Sequence, residues 1–205
     1  MPARPLSTEA LVLEKRPAAS DGWERLVLFS PEEGPLSVLR RQGRRAGGGP
    51  PLDLFDEASV VLESSNEGGG WFLREARVGA HRPELGRSYA CLQAASRLAR
   101  VAARNPVAPE GRARAYALVR DAFEALAAAD RPDVVLFKSL FRFARDEGYP
   151  VKQEWRPSLG PADRQQVDAL LERPVRETAL GVEAVARLQR RLEDYLRANT
   201  EILLE

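Results

Sequence analysis

The chain has 205 residues, of which 44% are hydrophobic and 30% charged, so it carries enough apolar sequence to bury a core. Its 31 basic and 30 acidic residues give a formal net charge of +1, which excludes a highly basic coat protein and an acidic tail protein. Any nucleic-acid site must therefore be a local patch. Among the basic residues 28 are arginine, a bias that suits phosphate recognition and equally fits a codon composition rich in Ala, Gly and Pro.

The first 80 residues contain five short β-rich runs separated by turn residues. The runs are Glu9–Lys15, Glu24–Ser30, Pro35–Arg41, Ala58–Ser64 and Trp71–Val78. Strands of this number and spacing predict a small antiparallel barrel of the oligonucleotide-binding (OB) type, and a sandwich with the same strand count is the alternative. In the last run, alternation puts Trp71 and Leu73 on one face and Phe72, Ala76 and Val78 on the other.

The hydrophobic period changes from two to 3.6 after about residue 84, which predicts a domain boundary near Ala80–Pro83. A first helix would bury Leu85, Tyr89, Leu92, Ser96, Ala99 and Ala103. Further helices follow around Tyr116–Leu126, from Pro132 to Asp146, over Asp163–Glu172 and from Val182 to about Ile202, with an irregular segment at Pro150–Pro161. We therefore predict an α+β protein, with an OB-like barrel in residues 1–80 and an α-helical bundle in residues 81–205.

Cys91 and His81 are the chain's single cysteine and single histidine. An internal disulfide and a Cys/His zinc cluster are therefore excluded, and we expect Cys91 to be buried on a helix and His81 to lie at the surface. The apolar runs are too short to span a membrane, and acidic residues among the first thirty do not fit a signal peptide. These features predict a soluble, cytoplasmic protein.

Catalytic motifs are absent from the sequence. It contains no GxxxxGK[ST], GxGxxG after a strand, GxSxG or HExxH pattern, and neither of its triple-glycine segments leads into a helix that would bind a phosphate. Its paired carboxylates are typical of solvated surfaces. We expect no enzyme activity, cofactor or metal, and an unrecognised catalytic site is the weakest alternative.

The segment Leu39–Pro51 has the sequence LRRQGRRAGGGPP, with four arginines and no acidic residue. Arg40, Arg41, Arg44 and Arg45 on a strand end and a glycine-rich loop would suit the phosphates of a nucleic acid, whereas an ordinary solvated loop is the alternative. Bases would stack on aromatic side chains, for which Trp23, Trp71 and Phe72 are candidates. Strand aromatics more commonly pack inward, so each of these is also a candidate core residue.

Three stretches give the chain a family resemblance. ALVLEKRP followed by ERLVLFSPEEGPLSVLRRQGRR, then FKSLFRFARDEGYPV, and finally LQRRLEDYLRANTEILL resemble, in order and spacing, the RecO family of bacterial recombination mediators. The resemblance covers nearly the whole chain. It departs from the family after Gly148-Tyr149, where many members carry a four-cysteine zinc ribbon and this chain has PVKQEWRPSLGPADR without a cysteine. No zinc is therefore expected.

RecO proteins bind single- and double-stranded DNA, anneal complementary strands and, with RecR, help RecA replace single-stranded DNA-binding protein (SSB). The resemblance implies that this chain does the same, with Arg40, Arg41, Arg44 and Arg45 in the family's basic segment binding DNA. It also implies that the helical domain receives the acidic, hydrophobic C-terminal tail of SSB. Lys138, Arg142 and Arg145, at positions i, i+4 and i+7, would form a cationic row beside Phe141.

Two alternatives stay open. The row on the third helix also fits the solvent face of an amphipathic helix, with cations near its C-terminal dipole. The whole chain also fits a protein-interaction module that keeps the barrel-plus-helices scaffold and has little DNA affinity, because a fold does not fix a function.

Overall fold

The computed structural model describes residues 5–41, 52–64 and 70–204. Five strands come first, followed by the helices. The strands are β1 (Leu6–Pro17), β2 (Trp23–Ser30), β3 (Gly34–Arg41), β4 (Glu57–Ser64) and β5 (Trp71–Ala80). The α-helices are α1 (Tyr89–Arg104), α2 (Pro109–Ala128), α3 (Pro132–Asp146), α4 (Arg156–Ser158), α5 (Pro161–Glu172) and α6 (Val182–Asn199).

The five strands close into a barrel in the order β1-β2-β3-β5-β4, with β4 returning to β1. All pairs are antiparallel except β3 and β5, which run parallel. Side chains fill the interior, as the small diameter of a five-stranded barrel requires; they include Leu26, Leu28, Val38, Val60 and Leu62. The predicted α+β fold with an OB-like barrel is confirmed, and the sandwich alternative is excluded.

A β-bulge changes which side chains of β5 face the barrel interior. Leu62 of β4 pairs with Leu73, but its neighbour Val61 pairs with Glu75, so Arg74 is the extra residue on β5. Because one inserted residue reverses the alternation, Ala76 and Val78 pack against the same core as Trp71 and Leu73. The predicted grouping of Ala76 and Val78 with Phe72 was therefore wrong.

Contacts divide the chain into two compact units, Met1–Arg82 with Ala102–Ala117, and Pro83–Val101 with Leu118–Glu205. We call them the barrel unit and the helical unit. In the barrel unit, the Arg112 guanidinium donates to the Glu32 carbonyl (2.7 Å) and the Tyr116 hydroxyl to the Glu57 carboxylate (3.0 Å). These bonds explain why the first half of α2 belongs with the barrel.

In the helical unit, α3 begins with Pro132 at its first turn and ends before Gly148, as predicted. Gly148 has a φ of +86°, a left-handed conformation that favours glycine at a helix C-terminus. The segment predicted to be irregular continues as a π-helical turn, Val151–Trp155, whose first and last residues are buried. No helix in the described ranges is both long and apolar enough to cross a membrane.

The buried face of α1 differs from the predicted one. Of the predicted set, Leu85 and Ala99 are buried, but Tyr89 is 78% exposed and Leu92 is 39% exposed. Cys91, Ala95 and Leu98, outside that set, are buried. The helix is amphipathic, because Gln93, Arg97, Arg100 and Arg104 recur on one side. The buried residues lie on the side opposite these polar ones, one position away from the predicted set. The expectation that Cys91 is buried on a helix is confirmed, and His81 is exposed as expected.

We expect Cys91 to resist modification in the folded protein. Its thiol lies against the Leu126 carbonyl (3.2 Å), and burial raises the pKa of the thiol, so the reactive thiolate is scarce. Titration with a chromogenic disulfide reagent should release little colour from native protein and one equivalent after denaturation. Rapid reaction in buffer would contradict the burial of Cys91.

Candidate functional site

The outer surface of β1, β2 and β3 carries a patch of arginine side chains. Arg16 of β1 pairs in register with Arg25 of β2, which pairs with Leu39 of β3. Arg41 lies two pairs further along β3, opposite Trp23, and so on the same face as Leu39. Arg25 and Arg41 are exposed, and their guanidinium groups form no ion pair with any other residue in the described ranges, which leaves their charges free to bind an anion.

Two aromatic side chains lie beside these arginines. Phe72 of β5 pairs with Leu39, and its ring meets that of Trp23 edge to face, with 5.6 Å between the ring centroids. Both rings are only half-buried. Trp71 faces the other way and packs against the barrel interior. Of the three aromatic residues considered for base stacking, Trp23 and Phe72 therefore share the outer face and Trp71 does not. We call Trp23, Arg25, Leu39, Arg41 and Phe72 the barrel face.

The four arginines predicted to bind DNA do not share one environment. Arg41 belongs to the barrel face, whereas Arg40 follows the strand alternation to the opposite side. Arg44 and Arg45 lie outside the described residues. The barrel face instead adds Arg25, which sequence reasoning missed. Its signal was the spacing of two residues from Trp23, which lies just before the predicted strand Glu24–Ser30; because β2 begins at Trp23, both side chains fall on one face.

Arg40 is engaged with a buried carboxylate at one end of the barrel. Its guanidinium donates to Glu24 Oε1 from Nη2 (2.6 Å) and Nε (3.1 Å), and Glu24 is 3% exposed. The Leu52 carbonyl accepts a bond from Lys15 Nζ (3.2 Å) and a longer one from Arg40 (3.5 Å). Arg40 therefore neutralises Glu24, and its side chain is only 18% exposed, so it is less accessible to a phosphate than the exposed Arg41.

The helical unit contains a groove of about 540 Å³ with a strongly basic lining. We call it the basic groove. The lining residues are Lys138, Phe141, Arg142, Arg145, Lys152, Arg156, Asp168, Leu171 and Glu172. All four residues predicted to bind a partner's tail are thus brought together along one wall of this groove. Helical periodicity explains this, because positions i, i+4 and i+7 of α3 fall on one side.

The groove combines an apolar base with cationic walls. Phe141 is buried and its ring centroid lies 6.0 Å from that of Trp155. Five cations and two carboxylates line the groove, which leaves an excess of three positive charges. Burial and the neighbouring Arg142 guanidinium lower the pKa of Lys138. A bound carboxylate would offset that unfavourable environment, so the groove is suited to an anionic ligand.

Three of the five groove cations already have partners. Lys138 donates to the Arg173 carbonyl (2.6 Å), Arg145 to Asp146 (2.8 Å), and Arg156 to both oxygens of Asp168 (2.5 and 2.7 Å). Arg142 and Lys152 form no side-chain hydrogen bond within the described part of the chain, and both are exposed. They are the cations most available to an incoming carboxylate.

Sequence reasoning missed half of the groove. Lys152 and Arg156 come from the segment predicted to be irregular, and Asp168, Leu171 and Glu172 come from α5. Tertiary packing brings these elements to α3, and no periodicity within one helix signals such a contact. The segment that stands where the resemblance expects a zinc ribbon therefore supplies two cations to the basic groove.

Within residues 5–41, 52–64 and 70–204, no group of three or more His, Cys, Asp or Glu side chains is placed to hold a metal ion. The sequence matches no family model, and no curated protein is significantly similar to it. Any function for the chain must therefore be argued from its own residues, its two surfaces and the order of its sequence motifs.

Proposed function

We propose that the protein is a non-catalytic, cytoplasmic DNA-binding mediator of recombination and repair, similar to RecO. It binds and anneals single-stranded DNA, contacts double-stranded DNA, and with RecR helps RecA replace SSB. The observation that carries the proposal is the barrel face, where the exposed Arg25 and Arg41, without an ion pair among the described residues, lie beside the half-buried rings of Trp23 and Phe72. Support also comes from the OB-like barrel, because such barrels bind oligonucleotides across strands 2 and 3.

The barrel face binds DNA through its backbone and the faces of its bases. Arg25 and Arg41 neutralise phosphates and release counterions, which makes the affinity fall as salt rises. The Trp23 and Phe72 rings offer apolar surfaces on which bases stack whatever their identity. These contacts read no base edges, so the protein binds with little sequence preference.

The basic groove binds the acidic C-terminal tail of SSB. Its excess of positive charge attracts the tail's carboxylates, and the apolar base formed by Phe141 and Leu171 accepts a hydrophobic terminal side chain. This second surface gives the protein a means of recognising SSB-covered DNA.

The proposal is tested by fluorescence anisotropy with labelled oligothymidine at two salt concentrations. Changing Arg25 and Arg41 together to alanine should weaken binding about tenfold at low salt and reduce the slope of log affinity against log salt by about 1.4, the value for two lost single-strand phosphate contacts. Trp23→Ala should weaken binding with an unchanged slope, because stacking releases no counterions.

The matched control changes Arg77 and Arg190 to alanine, which removes the same charge from exposed positions outside the barrel face. It should bind like the unchanged protein. A further variant with Arg44 and Arg45 changed to alanine measures how much the predicted basic loop contributes to the affinity for oligothymidine. Equal losses in the control and in the Arg25/Arg41 variant would mean that net charge, and not the barrel face, governs binding.

The second candidate function is a protein-interaction module with little DNA affinity. The basic groove favours it, because the groove lies wholly within the helical unit and needs no DNA to bind a peptide. Absence of oligothymidine binding at low salt, together with binding of an acidic peptide, would replace the mediator function by this one.

A further inference from the structure

The carboxylate of Asp168 forms an ion pair with Arg156, one of the cations that line the groove. Arg156 Nε donates to Asp168 Oδ1 (2.5 Å) and Arg156 Nη2 donates to Asp168 Oδ2 (2.7 Å). This two-bond fork is the arrangement in which an arginine binds the carboxylate of a peptide ligand. The Asp168 carboxylate therefore occupies the position on Arg156 that a ligand's carboxylate would take.

Asp168 is charged and accessible, as a displaceable group must be. The hydrogen bonds from Arg156 lower the pKa of Asp168, so it is ionised at neutral pH. The two side chains are 34% and 29% exposed, which keeps the pair within reach of water and of an incoming ligand. Water screens an exposed pair, so exchanging one carboxylate for another requires little free energy.

We propose that Asp168 is an internal competitor of the basic groove, which occupies Arg156 in the free protein and is displaced by an acidic peptide. The inference rests on the proposed function of the groove as a peptide site and adds a residue that sets its affinity. Glu172, one helical turn further along α5, also lines the groove but forms no hydrogen bond with Arg156 in the described part of the chain. The competing role therefore falls to Asp168.

The test measures binding of a short labelled peptide of consecutive aspartates that ends in phenylalanine. Asp168→Asn keeps the size of the side chain and removes its charge, so Arg156 loses its two-bond carboxylate partner and keeps at most one hydrogen bond to a neutral amide oxygen. We expect the affinity to rise about three- to tenfold, because the peptide no longer has to displace a charged carboxylate from Arg156. Asp163→Asn is the matched control, because Asp163 lies on the same helix and pairs with Arg187 and Arg191 outside the groove.

A second variant distinguishes competition from a general change of charge. In the background of Arg156→Gln, the Asp168→Asn substitution should bring no gain, since there is no cation left to release. Thermal unfolding of each variant establishes that it is folded. If Asp168→Asn still raises the peptide affinity in the Arg156→Gln background, or if Asp163→Asn raises it as well, the proposal that Asp168 competes for Arg156 is wrong.

The remaining outcomes separate this inference from the proposed function. If the unchanged protein binds the peptide and Asp168→Asn binds it equally or more weakly, Asp168 only orients Arg156, and the competitor is rejected while the peptide site stands. If neither protein binds the peptide, both the peptide site and the competitor are rejected. If the peptide binds Asp168→Asn and not the unchanged protein, the proposal that Asp168 competes for Arg156 is supported.

Discussion

Arg40→Ala should lower the free energy of unfolding by about 3 kcal/mol, the cost of leaving one partner of a buried ion pair without the other. Glu24 is 3% exposed, and its Oε1 accepts both of its hydrogen bonds from Arg40. Oε2 has no hydrogen-bond partner in the described part of the chain, so Arg40 supplies the side-chain hydrogen bonds that the carboxylate receives there. Denaturation by urea, followed by circular dichroism, measures the loss.

Arg41→Ala is the control for this loss, since Arg41 is the next residue of the same strand and its side chain is exposed. It should change the free energy of unfolding by no more than about 0.5 kcal/mol. Replacing Glu24 and Arg40 together by leucine should recover most of the stability, because no unpaired charge remains buried. An Arg40→Ala variant as stable as Arg41→Ala would show that the ion pair contributes nothing to the barrel.

The ion pair between Glu24 and Arg40 affects which variants are suitable for testing DNA binding. A variant with all four of the sequence-predicted arginines changed to alanine would combine lost phosphate contacts with lost stability, so weaker DNA binding would have two causes. Arg25 and Arg41 avoid the difficulty because neither guanidinium stabilises a buried group among the described residues. The sequence analysis assigned Arg40 and Arg41 to the same DNA-binding cluster because they are adjacent in the chain. Adjacent residues of a strand, however, point to opposite faces of the sheet.

Four of the five strands could be predicted from sequence to within two residues at each end, since alternation and turn residues are local signals, whereas β1 extends three residues before and two after its predicted run. Asp21-Gly22, with Gly22 at a φ of +78°, is a turn between β1 and β2 where the sequence predicted one. Alternation failed only after the bulge at Arg74, because a bulge is set by pairing with β4 and leaves no mark within β5. The predicted face of α1 was one residue off because it followed Tyr89 and Leu92, whereas the buried side lies opposite the arginines of the helix.

The basic groove could be predicted from sequence only in part. Lys138, Arg142 and Arg145 belong to one helix, whose period is known in advance, and the groove contains all three. Arg156 and Asp168 reach the groove from separate elements that only the folded chain brings together. A cluster within one helix is thus visible in sequence, whereas its counter-ions and its opposite wall are not.

Arg142→Glu should weaken binding of the aspartate peptide about thirtyfold, corresponding to about 2 kcal/mol for reversing a charge that faces the ligand. Arg142 lines the groove and forms no side-chain hydrogen bond within the described ranges, so its reversal breaks no ion pair and the unfolding temperature should stay unchanged. The same peptide with asparagine in place of aspartate should bind the unchanged protein weakly, because the groove then attracts no charge.

Arg190→Glu is the matched control, an equal change of charge at an exposed position of α6 that does not line the groove. It should leave peptide binding within about twofold, since an exposed charge away from the ligand is screened by salt. Oligothymidine binding supplies the reciprocal control, because Arg142 belongs to the helical unit and the barrel face to the barrel unit. If Arg142→Glu loses peptide binding and keeps oligothymidine binding, the two surfaces are separable. If Arg142→Glu and Arg190→Glu lose peptide affinity equally, the loss is a general effect of the protein's charge and not a property of the groove.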